Sequence, residues 1–69
     1  MMDFRLRTEF IELDNLLKAT DRVANGAEAK QRIQSGAVKV NGQVELRVRR
    51  KLKAGDVVDF YGSRIAVTA

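Results

Sequence analysis

At Gly36 the spacing of apolar residues along this 69-residue chain changes from helical to alternating. On the N-terminal side Leu13, Leu16 and Leu17 recur at helical spacing, as do Ala29 and Ile33. On the C-terminal side the apolar residues alternate, as in Val38-Lys39-Val40 and Ile65-Ala66-Val67. A repeat of 3.6 describes one face of a helix and a repeat of 2 one face of a strand. This switch predicts two helices ahead of Gly36 and sheet after it, which together with a short N-terminal strand make an α+β arrangement.

Local signals place the elements. Phe4 to Arg7 alternate apolar and basic, the pattern of a short strand with one wet face. Phe10, Leu13, Leu16 and Leu17 form a stripe, and the spacing predicts a helix over about Glu12 to Ala19. Glu12 and Asp14 in its first turn and Lys18 in its last suit the helix dipole. Thr20 to Ala24 is a connector. Asn25 is a good N-cap and Glu28 stands three residues on, a capping-box arrangement. The helix that follows, about Ala27 to Ser35, buries Ala29 and Ile33 and ends at a left-handed Gly36. The two helices should pack as an αα-hairpin.

After Gly36, Asn41-Gly42 is a favoured two-residue hairpin turn. Simple alternation then points Val44, Leu46 and Val48 to the core, and Glu45, Arg47 and Arg49 outward. Turns at Ala54-Gly55-Asp56 and Tyr61-Gly62-Ser63 bound a strand at Val57, Val58 and Phe60. The expected fold is α+β: β-α-α followed by a small antiparallel sheet of four to five short strands, a single domain over residues 1–69.

Composition narrows the function. With no Cys and no His, disulfides and the usual zinc sites are excluded, and no cofactor is expected. The apolar runs are far shorter than the roughly 20 residues that span a bilayer, so a cytoplasmic protein without a membrane partner is expected. Residues 1–34 hold six Lys/Arg and six Asp/Glu, whereas residues 35–69 hold seven and three, so the whole excess of +4 lies in the second half. Such asymmetry points to a polyanionic partner.

Arg47, Arg49, Arg50 and Lys51 are the sharpest cluster. On a strand, Arg47 and Arg49 would lie roughly 7 Å apart on one face. That spacing is close to the separation of phosphates along a nucleic-acid strand. Arg50 breaks the alternation, which predicts a bulge or strand end near Arg50-Lys51. Lys30 and Gln34, one turn apart on the second helix, and Lys39 and Asn41 on the following turn are expected to extend this surface. Catalysis has no support: there is no Ser with a plausible base and no Gly-rich phosphate loop followed by Lys-Ser/Thr. With four aromatics in all, base-by-base stacking is less favoured than recognition of RNA shape and phosphates. An acidic protein is the alternative partner.

The ordered set Leu13-Asp14-Asn15-Leu16-Leu17, Gly26-Ala27-Glu28-Ala29-Lys30, Gly36-Ala37-Val38-Lys39-Val40-Asn41-Gly42, Arg50-Lys51-Leu52 and Gly55-Asp56 resembles the RNA-binding domain first described in ribosomal small-subunit protein S4, also called the αL motif. The resemblance covers about residues 12–60 and is greatest to small stand-alone bacterial members. A non-catalytic monomer without a small-molecule substrate is expected. Its implied partner is structured RNA, ribosomal or transfer RNA, bound in some cases in association with the ribosome. The resemblance also implies contact through the second helix, the Val-Asn-Gly turn and the basic segment, here Lys30, Lys39, Asn41, Arg49, Arg50 and Lys51. Many members carry Arg where this chain has Glu12, and Ser-Arg where it has Asn25-Gly26. These departures move the expected centre of binding onto Arg47 to Lys51.

Overall fold

A computed structural model describes residues 1–69. The chain runs β1 (Met2–Arg5), β2 (Ile11–Glu12), α1 (Leu13–Ala19), α2 (Gly26–Gln34), β3 (Val38–Val40), β4 (Gln43–Val44), β5 (Lys51–Leu52), β6 (Val57–Phe60) and β7 (Ser63–Thr68). Asn25 caps α2 as its sequence requires, its Oδ1 accepting the Glu28 N–H at 2.9 Å. Glu28 reaches back one residue further than a standard capping box and accepts the Ala24 N–H at 2.6 Å. Gly36, at φ +86°, releases the chain from α2 into β3.

Five strands form one sheet in the order β1-β7-β6-β3-β4, and β2 pairs with β5 in a separate two-stranded ribbon. One face of the large sheet supplies Val38, Val40, Val58, Ile65 and Val67, all buried against Leu13, Leu16 and Leu17 of α1 and Ala29 and Ile33 of α2. This packing buries both apolar periods in one core. Leu52 of β5 joins it from the ribbon.

The α+β class and the helix pair are as expected, with two corrections in the sheet. The large sheet is mixed, because β1 runs parallel to β7, with Met2 opposite Ile65 and Phe4 opposite Val67. Parallel neighbours need a long crossover, and here both helices and the remaining strands lie between the two in sequence. The second correction concerns residues 44–49. Val44 and Leu46 are exposed at 53% and 56%, while Glu45 is buried at 8%. The strand ends at Val44, and Arg47 and Arg49 lie on a loop, not together on a strand face.

Hairpin register explains the reversal. Asn41 and Gly42 both have positive φ, +52° and +85°, the backbone of a type I′ turn. Such a turn sets Val40 opposite Gln43 and Lys39 opposite Val44. Directly opposed residues share a face. Val44 therefore joins Lys39 on the outer face. Glu45, whose N–H donates to the Val38 carbonyl at 3.0 Å, joins Val38 on the inner one.

Candidate nucleic-acid interface

Residues 45–50 form an irregular loop that is tied to α1 through its backbone. The first N–H groups of a helix lack partners within it. In α1 the Leu13 N–H donates to the Arg50 carbonyl at 2.8 Å and the Asp14 N–H to the Val48 carbonyl at 3.1 Å. The loop thus replaces the side-chain cap that Glu12 does not provide. Lys51 and Leu52 then pair with Glu12 and Ile11. Val48, half-buried, anchors the loop against the core.

Glu45 organises the cations. Its Oε2 accepts from the Arg47 backbone N–H at 2.9 Å and from Arg47 Nε at 3.0 Å. Its Oε1 accepts from Arg47 Nη2 at 3.0 Å and from Arg50 Nη1 at 2.9 Å. The side-chain hydrogen bond from Arg47 is the main cause that holds the Glu45 carboxyl at about 2, against the opposing effect of burial. The same pair raises the Arg47 guanidinium above its ordinary value. Arg49 Nε lies 3.7 Å from Glu12 Oε2, and the Lys51 ammonium sits 4.9 Å from the centre of the Phe10 ring.

Arg47, Arg49, Arg50 and Lys51 line an open depression of about 460 Å³ that no apolar residue enters. The Arg47 and Arg49 side chains are 74% and 78% exposed, while Arg50 is more sheltered at 28%. This is a multidentate cationic surface, held at Arg47 and Arg50 by Glu45 and suited to phosphate oxygens rather than to a small apolar ligand. No group of His, Cys, Asp and Glu is placed to hold a metal, and no helix is long and apolar enough to cross a membrane.

The other expected site residues do not line this depression. Lys30 and Gln34 are exposed on α2. Lys39 is on the outer sheet face opposite Asp59. Asn41 lines a separate depression with Gly42, Val57, Asp59 and Arg64. Its side chain is engaged there, Oδ1 accepting from the Val57 N–H at 2.9 Å and Nδ2 donating to Asp56 Oδ1 at 3.0 Å. Burial raises the Asp56 carboxyl, but the Asn41 and Lys53 hydrogen bonds with the charges of Arg50 and Lys53 outweigh it and leave a lowered value. Glu45, Glu12 and Phe10 belong at the cationic surface although composition does not single them out. The hairpin register is the sequence signal that places Glu45 there.

Two helices on one face of a mixed sheet, with a cationic loop pinned to a helix start, define a small α+β domain with one concentrated cationic surface. The chain matches the S4 domain family over residues 4–68 and belongs to it. It is similar to the Escherichia coli K12 protein named "Putative RNA-binding protein YbcJ", with 46% identity over 59 residues, 86% of this chain and 84% of that one. It is also similar to the Bacillus subtilis 168 protein named "Probable ribosome maturation protein RlbA", with 40% identity over 55 residues, 80% of this chain and 78% of that one. The solution structure of Escherichia coli YbcJ, described as revealing an αL motif involved in RNA binding, superimposes with a TM-score of 0.76 at 43% identity, covering 100% of this chain and 89% of that one.

Proposed function

We propose that this protein is a non-catalytic binder of structured RNA, with ribosomal RNA as its target class and Arg47, Arg49, Arg50 and Lys51 as the centre of contact. The carrying observation is the depression lined by these four cations alone. The S4 family and the description of YbcJ support RNA, and the name of RlbA supports the ribosome. Lys30, Gln34 and Lys39 are outlying contacts in this reading, and Asn41 acts chiefly by shaping the turn. The protein acts in the cytoplasm, as a monomer.

Titration of labelled ribosomal RNA fragments at increasing salt tests the reading. Three to five phosphate contacts predict that log K falls against log salt with a slope of about −2 to −4. Absent or salt-insensitive binding overturns it. Exposed Val44 and Leu46 beside the loop favour a second reading, a protein partner, which the neighbouring cations would require to be acidic. A pull-down after nuclease treatment separates the two, since only a protein contact survives the nuclease.

A further inference from the structure

Glu45 places a carboxylate within a surface that attracts anions. Its four hydrogen bonds come from two arginines, and it is 8% exposed. Simple Coulomb repulsion says that such a group weakens the binding of a phosphate, so its removal should tighten binding.

The geometry supports the opposite outcome. Glu45 grips Arg47 through Nε and Nη2 and leaves three (5 − 2) of its five guanidinium N–H donors free. Arg50 donates once from Nη1, leaving four (5 − 1). The Arg47 side chain is 74% exposed and nevertheless fixed at its end. A long cationic side chain that is free in solution loses rotamer freedom when it binds, whereas one already held does not. The carboxylate is also surrounded by donors, which mutes its repulsion towards a phosphate beyond them.

We infer that Glu45 is a positioning residue for RNA: it presets the Arg47 and Arg50 guanidiniums, and RNA affinity depends on it despite its negative charge. This rests on the RNA reading above. Repulsion and positioning differ in sign, so one variant decides between them.

The test uses fluorescence anisotropy with a fluorescein-labelled ribosomal RNA hairpin. Glu45→Gln keeps the shape but replaces one acceptor oxygen with a donor, and should weaken binding about tenfold, the entropic equivalent of freeing an arginine. In a background of Arg47→Ala, which leaves the other three cations in place, the same change should cause a smaller loss. Unchanged or tighter binding of the single variant overturns the proposal. Equal losses in both backgrounds also overturn it, because they mark a general folding effect.

A measurement on the unmodified protein is independent of the variants. In the absence of RNA, NMR relaxation of the Arg47 Nε–H should show order close to that of the backbone. A freely moving Arg47 end overturns the positioning role alone. Failure of the unmodified protein to bind the hairpin overturns the RNA reading, and the inference with it.

Discussion

Glu45 and Asn41 show two uses of a polar side chain in a thin domain. Asn41 closes a turn: its backbone N–H donates to the Val57 carbonyl at 2.8 Å while its amide joins Val57 and Asp56. Asparagine tolerates the left-handed backbone there. The turn itself was legible in Asn-Gly, but its clasp on residues fifteen and more positions away was not. Glu45 instead exchanges water for four N–H donors, so its charged form belongs to the folded state. Its carboxyl is lowered from 4.5 to about 2. A lowered folded value means stability that is fully present above the unfolded value and lost as pH falls through the folded one. The unmodified protein should therefore lose stability on acidification from 4.5 towards about 2, with Asp56 acting in the same direction. Glu45→Gln should be less stable at neutral pH and show a shallower acid loss. Urea midpoints at neutral pH and at about pH 3 check this, and parallel acid losses would contradict it.

Among the elements, the hairpin β3-β4 decides where the cations go. Alternation of Val44, Leu46 and Val48 suggests a core-facing strand, whereas the two-residue turn requires the opposite face for Val44. Both signals are present in the sequence, and the turn prevails because a hairpin ladder has little freedom once its turn is set. The helices were readable for a simpler reason. Leucine spacing in α1 and the Asn25 cap of α2 are local signals that agree with the packing. The loop was less readable, since it is held by the unpartnered N–H groups of α1, more than thirty residues earlier. Val44→Thr and Leu46→Gln should each change stability by no more than about 0.5 kcal/mol, as surface substitutions usually do. Core positions would instead cost about 2 kcal/mol or more. Thermal and urea unfolding of the two variants separates these outcomes.

For the molecule as a whole, the sheet and the charge are organised by different long-range constraints. β1 completes the sheet beside β7, with Leu6 N–H donating to the Thr68 carbonyl at 2.8 Å across almost the entire chain. A four-residue alternation cannot state the direction of such a pairing, so the parallel join was invisible in the sequence. Charge was more legible, because all of the +4 excess lies after Gln34. The fold sharpens that signal by placing four of the cations around one depression and leaving Arg5 and Arg7 on or just after β1. A total-charge effect and a site effect can therefore be separated with variants of equal charge. Arg50 is unsuitable for this purpose because it is sheltered and bound to Glu45. Arg49 and Lys51 are exposed, and replacing both with Gln changes the charge by as much as replacing both Arg5 and Arg7. The pair Arg49→Gln and Lys51→Gln should weaken RNA binding and flatten the salt slope by about 1.4 to 1.8, the loss of two phosphate contacts. The pair Arg5→Gln and Arg7→Gln should leave the slope nearly unchanged. If both pairs flatten it equally, the protein binds RNA by its overall charge and the depression is not the site of contact.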